Sequence, residues 1–569
     1  MLKKELESTI SRLLAIGVPA VSLFILTGSV TDPVNETKFL LLGAVGVAAL
    51  SVVLLRGLNM LWARNRVLLI LSGLFLLFSI FSVLQSKSPL SQNLYGVYGR
   101  NTGFLTYFFL LGILLAASII KSRNSLNSLC LGLFITGLIN VLYCAWAVFI
   151  GDFISWNNPY GNILGLFGNP NFIGAFLGIW ISATVGYALG QKLKAWQWVL
   201  VAALILLACY EVYKSHAVQG VVVTAGGLAT VGFFFIRSRT KGIAATAAYT
   251  SSILVVGIVA LMGALQKGPL AEIVYKTSVS LRGVYWNAGI KTGLDYPFTG
   301  AGFDSYGDWY RRSRSEYGAL VLPGPSVTTN SAHNVVLDIF SYGGFPLLIS
   351  YLGMVILGAL AIIKTLRRSK DYDPIFVALC VAWIGYQLQS IISINQIGLA
   401  VWGWVLTGAL IAYVNLDAQP TSTESVDVSS RQKQSRAVKR GGGVFSTQLI
   451  AGIGAVLGLI LSAPPISADM AWVKATQSRS AEEVEKALTP TYLHPSNSER
   501  YTEAIQLLEN SGLFEQAHKY AQAAVKFNPD HFGSWFTLYS VSKSTEEEKA
   551  LALKNLERLD PYSKDVLAP

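Results

Sequence analysis

Residues 397–415 read IGLAVWGWVLTGALIAYVN, a stretch without a charged side chain that is long enough to cross a lipid bilayer as a helix. A helix is predicted because every backbone polar group in lipid must be hydrogen-bonded within its own segment. The stretch is also too long and too uniformly apolar for a barrel strand. Twelve other windows have the same character: residues 12–28, 37–55, 67–86, 103–120, 126–150, 172–190, 197–213, 218–236, 243–265, 345–363, 374–394 and 446–462.

The composition of the whole chain also favours many membrane spans. Hydrophobic residues make up 52% of the 569 residues and charged residues only 13%, against about 25% charged residues in soluble domains. The mean hydropathy is +0.49. All four cysteines fall inside apolar windows, so no disulfide framework is predicted. We therefore predict an all-α, polytopic membrane protein.

The net charge of +12 indicates membrane topology rather than nucleic-acid binding, because the basic residues concentrate in alternate loops. With the N-terminus in the cytoplasm and its first apolar segment retained as a helix, the outer side holds the long loop 266–333, the short loops with residues 95–103 and 168–171, and the C-terminal tail. The basic loops carry Arg56, Arg64, Arg66, Lys121, Arg123, Lys192, Lys194, Arg237, Arg239, Lys241, Lys364, Arg367, Arg368 and Lys370.

Four regions are predicted along the chain. Residues 1–415 form a membrane core of about twelve spans, residues 416–444 a disordered basic cytoplasmic linker, and residues 445–463 a final span. Residues 464–569 have the apolar spacing of amphipathic helices, and two of their prolines are 32 residues apart, against about 34 in a tetratricopeptide repeat. We predict a tetratricopeptide-like tail with a surface for a protein partner. The alternative is a small helical bundle with coincidental prolines.

Chemistry is predicted at the outer surface, since ionisable residues are scarce in the apolar windows and a transporter usually needs them there. The long loop is rich in aromatic residues, which can pack against sugars, and in arginine, which forms bidentate bonds to phosphate oxygens. The structural alternative for each arginine is solvation or a carboxylate partner such as Asp304, Asp308 or Glu316. His333 can accept a proton from a hydroxyl group; its alternative role is to cap the following helix or to lie at the headgroup level.

Five segments follow one another in a characteristic order: YGRNTGFLTY (98–107), GNPNFIGAFL (168–177), SLRGVYWNAGI (280–290), PFTGAGFDSY (297–306) and SAHNVVLDIFSYGGFPLL (331–348). This ordered set resembles the O-antigen ligase and polymerase family of bacterial membrane glycosyltransferases, over about residues 12–415. The resemblance implies a helical bundle of the C-type glycosyltransferase kind in the bacterial cytoplasmic (inner) membrane, with the catalytic loop and the tail extracytoplasmic. It implies transfer of a glycan from a polyprenyl-diphosphate carrier to an acceptor, without a cofactor or a divalent metal.

The resemblance also implies roles for single residues. His333 matches the loop histidine, a general base or diphosphate contact, and Arg282, before Trp286, matches the arginine that holds the diphosphate. A second family arginine is replaced, because KSHAVQG (214–220) has His216 and Gln219 in that segment. The residues that can take its place are Lys214, Arg100 and the cluster Arg311, Arg312 and Arg314.

Amide side chains are further candidates for contacts to the substrate. Asn169 and Asn171 lie in GNPN, where the alternative is helix capping. Asn334 follows His333, and Gln219 lies in the segment without the second arginine.

Alternatives remain open at three levels. Within the family, the chain is a ligase, a repeat-unit polymerase or a protein O-oligosaccharyltransferase, with a lipid, glycan or protein acceptor. Outside it, the chain is a lipid or polysaccharide transporter, or a non-catalytic scaffold of a glycan synthesis complex. In a metal-dependent enzyme, Asp295, Asp304 and Asp308 would bind Mg²⁺.

Overall fold

The computed structural model describes residues 2–156, 158, 161–268, 271–274, 277–416, 445–478 and 480–562. Over these residues the chain is helical, without a β-strand, so the predicted helical bundle is confirmed. The helices up to the long loop are α1 (Leu2–Leu23), α2 (Asn35–Val52), α3 (Leu58–Gln85), α4 (Leu90–Tyr95), α5 (Phe104–Ser118), α6 (Arg123–Phe149), α7 (Pro170–Ala188), α8 (Ala195–Lys214), α9 (Val218–Arg239) and α10 (Ala244–Ala264).

The later helices belong to the long loop, the end of the membrane part and the tail. They are α11 (Ala271–Val274), α12 (Thr277–Asp295), α13 (Tyr306–Ser313), α14 (Glu316–Leu320), α15 (Val335–Arg368), α16 (Pro374–Ile392), α17 (Ile397–Leu416), α18 (Thr447–Ser478), α19 (Ala481–Leu488), α20 (Ser498–Asn510), α21 (Phe514–Phe527), α22 (Phe532–Ser540) and α23 (Glu546–Leu559).

Eleven helical segments of the described chain are long and apolar enough to cross a membrane. One of them, Asn35–Gln85, combines α2 and α3 through a π-helical turn, and α5 is a shorter apolar helix. Helices overlap all thirteen predicted windows. Apart from Leu416, the predicted linker 416–444 lies outside the described residues.

Small residues allow the last predicted span to pack closely against the bundle. A Cβ atom on Gly458 of α18 would clash with the carbonyl oxygen of Gly43 in α2, and one on Gly43 would clash in return with Gly458 and Ser462. Such close backbone approach is the usual basis of helix association in membranes. Helix α18 then continues, through Pro464 and Pro465, beyond the predicted end of the span at residue 463.

Several connecting segments meet at one end of the bundle, which we call the loop end: residues 24–34, 86–103, 150–156, 161–169, 277–334 and 393–396, together with the described part of the tail. The opposite end, called the basic end, carries the predicted basic loops. Two of these loops lie close to the end of α17, because Arg64 donates a hydrogen bond to the Asn415 carbonyl and Arg368 donates one to the Val414 carbonyl.

The tail has its own apolar core, which includes Trp472, Tyr501, Trp535 and Leu556. Its described helices after α18 are α19 to α23. The assignment to the tetratricopeptide class stays a prediction.

Candidate functional site

Two of the five family-like segments, 297–306 and 331–348, are joined by backbone hydrogen bonds. Helix α15 breaks at Gly343 and Gly344, just before Pro346. At this break, Phe345 N–H donates to the Pro297 carbonyl (2.8 Å), and Ala301 N–H donates to the Ser341 carbonyl (2.8 Å). The loop segment 297–302 is thereby fixed to the helix that follows His333.

Asp304 connects this loop to the segment around Arg100. The Asp304 side chain is fully buried and accepts the Val97 N–H at 2.9 Å. It forms an ion pair with Arg100 at 3.4 Å, which is the carboxylate pairing left open as the alternative for the arginines. Burial lowers the pKa of Arg100, but the Asp304 carboxylate and its neighbours outweigh burial, so that the pKa lies above its usual value.

A tight turn presents His333. Its φ angle is +52°, in the left-handed region that non-glycine residues rarely adopt. Two bonds to the Asp338 carboxylate hold this turn, from the Ser331 hydroxyl (2.7 Å) and the Ala332 N–H (2.8 Å), and Ser331 Oγ accepts the His333 N–H at 3.0 Å. The cap of α15 is Asn334, whose Oδ1 accepts two backbone N–H groups. The helix-capping alternative for His333 is therefore wrong, and the side-chain oxygen of Asn334 is engaged in the cap.

His333 packs against α12 and lies within the electrostatic reach of two guanidinium groups. Its ring is stacked on Tyr285 of α12, with ring centroids 5.4 Å apart. Arg282 is one helical turn before Tyr285. Burial, followed by the positive charges of Arg282 and Arg100, lowers the pKa of His333 to about 4. The imidazole is therefore neutral at physiological pH, and the positive charges of both arginines act on it.

Arg282 differs from the other arginines of the loop because its charge is not compensated. It has no ion pair or hydrogen bond among the described residues, and burial lowers its pKa. An arginine remains ionised in a protein even so. Its neighbour Trp286 has a buried indole N–H that lacks a hydrogen-bond partner in the described chain.

A cavity of about 560 Å³ opens at the loop end. Arg100 and Asn169 line it, whereas Arg282 and His333 are not among its described lining residues. Asn169 also caps α7, accepting the Asn171 N–H at 2.9 Å, as its structural alternative predicts. Arg100 thus lines the cavity, and its positive charge also acts on His333.

Several polar residues of this cavity are not predicted from the sequence. Asp32 accepts the Val34 and Asn35 N–H groups through Oδ1, while its Oδ2 is buried without a hydrogen-bond partner in the described chain. Burial raises the pKa of Asp32. Asn395 and Gln396 line the opposite part of the wall. The available signal was their position in short polar connections, TDPVN and INQ, between apolar windows.

The tail helps to hold the cavity wall in place. Asp469, in the part of α18 beyond the predicted span, is fully buried. Its carboxylate accepts the Thr31 N–H (2.7 Å) and the Asp32 N–H (3.1 Å), and also binds the Tyr98 hydroxyl and the Arg500 guanidinium. One carboxylate therefore connects the cavity wall, the segment before Arg100 and helix α20.

The cluster Arg311, Arg312 and Arg314 is bound to the tail. Arg314 contacts Asp560 at 2.7 Å, with both side chains fully buried, and Arg311 contacts the same carboxylate oxygen at 2.9 Å. Arg312 contacts Asp530 at 3.1 Å. All three are therefore paired with carboxylates, and we leave them out of the candidate site.

The remaining predicted residues form a separate group around α7, α8 and α9. Gln219 is buried and donates to the Asn171 carbonyl at 2.6 Å. Lys214 lies in the last turn of α8. In the described chain, the cavity is not lined by Gln219, Asn171 or Lys214.

Two of the three carboxylates considered for Mg²⁺ have other partners. Asp304 is paired with Arg100, and Asp308 accepts hydrogen bonds from Gln92 and Asn528. In the described part of the chain, no three His, Cys, Asp or Glu side chains are grouped so as to hold a metal ion.

Comparison with known families adds a finding for the middle of the chain. A family model described as O-antigen ligase matches residues 177–352. This segment is similar to an O-antigen ligase domain. It contains Arg282 and His333, whereas Arg100 and most of the cavity wall lie outside it. The search of curated proteins found no match to the chain.

The family finding and the helices together define the protein coarsely. Members of the O-antigen ligase family are membrane glycosyltransferases, and the family implies a lipid-linked glycan donor. With its many apolar helices and a middle segment that is similar to the O-antigen ligase family, the chain is a multi-pass membrane protein.

Proposed function

We propose that the chain transfers an oligosaccharide or polysaccharide from a polyprenyl-diphosphate carrier to an acceptor hydroxyl group at the loop end. The observation that carries this proposal is the stacking of the His333 ring on Tyr285 of α12, one helical turn after Arg282, in a place where burial and then the charges of Arg282 and Arg100 lower the pKa of His333. Arg282 and Arg100 bind the diphosphate, and His333 is the general base.

The transfer is a substitution at the sugar carbon that bears the diphosphate. The acceptor oxygen forms a bond to this carbon, the bond from the carbon to the diphosphate oxygen breaks, and the hydroxyl proton moves to His333. The guanidinium groups stabilise the negative charge that develops on the leaving diphosphate. This requires no redox partner.

The low pKa of His333 also links base strength to donor binding. Burial, and after it the charges of the two arginines, disfavour a protonated imidazole. A bound diphosphate offsets these positive charges and raises the pKa, since an opposite charge nearby favours the charged form of a group. His333 therefore becomes a useful proton acceptor when the donor is in place.

We also propose that the loop end faces the extracytoplasmic side of the cytoplasmic membrane. Positively charged loops are retained in the cytoplasm. Arg64, Arg237 and Arg368 lie at the basic end, opposite the cavity.

The test uses purified full-length protein in lipid, a polyprenyl-diphosphate glycan and an acceptor, with covalent product as the readout. We expect His333→Ala and Arg282→Ala to lower the turnover roughly 100-fold or more. Control variants are His494→Ala in the tail and Arg367→Ala at the basic end. Unchanged turnover in both site variants would refute the assignment.

Two further readouts separate the alternatives. Transfer that persists in a chelator supports the arginine mechanism over a metal-dependent one. Carrier translocation across vesicles without any glycan transfer would favour the transporter class instead.

A further inference from the structure

A second amphipathic cavity, of about 380 Å³, lies at the basic end between α3, α15 and α17. Its cationic lining residues are Arg64, Arg66 and Lys364, and its apolar lining includes Val67 and Leu360. It is at the opposite end of the bundle from His333, so the proposed transfer reaction does not account for it.

The cavity lies at a fixed break in α3. Asn65 leaves the helical conformation, with φ −135° and ψ 38°. Its side chain donates to the Ser118 carbonyl at 2.9 Å and accepts from the Asn415 side chain, also at 2.9 Å. The amide nitrogen and the amide oxygen of Asn65 are each hydrogen-bonded to a neighbouring helix. The packing of the bundle therefore fixes the break in α3.

The charge of this cavity is uncompensated. None of its lining residues is acidic. Arg64 donates one hydrogen bond to the Asn415 carbonyl, at 3.2 Å, and Arg66 and Lys364 have no ion pair within the described residues. A neighbouring cavity at the same end differs, because there Arg123 is paired with Asp373. Three cations without a carboxylate are suited to a polyanionic group.

The apolar wall opens towards the lipid. Val67 is 53% exposed and Leu360 51% exposed, and Trp62 nearby in the sequence is 58% exposed. Tryptophan is typical of the headgroup level of a membrane. The charged part of the cavity is therefore continuous with a surface that fits an acyl chain.

We propose that this cavity binds an anionic phospholipid. The phosphate headgroup lies among Arg64, Arg66 and Lys364, and an acyl chain follows Val67 and Leu360. Basic pockets between membrane helices are known to select lipids of this class. A soluble phosphate shares the headgroup chemistry but would leave the apolar wall uncovered.

The experiment measures retained lipid by native mass spectrometry on the full-length protein from mixed phosphatidylglycerol and phosphatidylcholine vesicles. We expect selective retention of phosphatidylglycerol, and roughly a 10- to 30-fold loss of that selectivity in the double variant Arg66→Gln, Lys364→Gln. The matched control is Lys192→Gln, Lys194→Gln, at two lysines of the basic end that do not line the cavity.

A charge-conserving variant, Arg66→Lys with Lys364→Arg, separates binding from folding and should keep most of the selectivity. Equal retention of the two lipids by the wild type, or an equal loss in the control, would overturn the proposal. Displacement of phosphatidylglycerol by millimolar glycerol phosphate would show that the site recognises soluble phosphate and would overturn its lipid assignment.

Discussion

Replacing Asp560 by alanine tests whether the tail is bound firmly to the long loop. The Asp560 carboxylate contacts Arg314 at 2.7 Å, and both side chains are fully buried. Arg314 also donates to the Gly324 carbonyl at 3.3 Å, a weaker bond that does not neutralise its charge. In Asp560→Ala a guanidinium group therefore stays buried without its counterion.

Removing one partner of a buried ion pair costs about 3–5 kcal/mol. Arg311 loses the same carboxylate, but its side chain is 19% exposed and stacks on Phe532 at 4.0 Å, so it adds less. Since about 1.4 kcal/mol corresponds to a factor of ten, the open form of the interface should become roughly 100- to 4,000-fold more populated.

Hydrogen exchange of the full-length protein, followed by mass spectrometry, measures this population. Peptides from α13 and α23 should exchange faster by the factor given above. Glu485→Ala, which removes an exposed ion pair with Lys519, should leave them unchanged. The double variant Arg314→Met, Asp560→Leu should recover much of the protection, because it leaves no unpaired charge. Wild-type exchange in Asp560→Ala would refute the reasoning.

Three more outcomes are expected. Asn334→Ala removes the cap of α15 and should lower the free energy of unfolding by about 1 kcal/mol, as read from denaturant midpoints; Asn334→Asp should retain most of it. Gly300→Ala should cost about 1–2 kcal/mol or more, because φ is +65° there and a Cβ atom would meet the Tyr342 backbone, while Gly242→Ala, where the Cβ meets no atom, should not. In the folded protein, the pKa of His333 is about 4, below the value of about 6.5 expected when unfolded. The unfolded state therefore binds more protons at His333 between these values, and the contribution of His333 to stability should rise with pH across that window. His333→Gln should make the slope of stability against pH less positive there than in the wild type; an unchanged slope would contradict the lowered pKa.

Much of the fold follows from the sequence, because charge-free stretches of membrane length leave few alternatives to a spanning helix. The first and last residues of the helices were harder to predict from the sequence. Helix α15 begins at Val335, ten residues before the predicted window, because its first turns are covered by the loop segment 297–302 and need not be uniformly apolar. Helix α18 contains two consecutive prolines, which in a sequence indicate the end of a helix.

The candidate site was predictable in part. His333, Arg282 and Arg100 are predicted from their segments, and the charges of both arginines act on the pKa of His333; their roles in a site stay predictions. The partners of the other arginines could not be found from the sequence, since 246 residues separate Arg314 from Asp560. The polar groups of the cavity wall were missed because each connection is too short to carry a motif.

Helix α18 is continuous from the bilayer into the tail, and Asp469 on it holds the cavity wall. A chimaera joined directly after the last span would discard this carboxylate together with the old tail. A junction placed beyond Arg500 would keep both members of the pair. Replacement of the tail is therefore limited by helix α18, which the membrane part and the tail share.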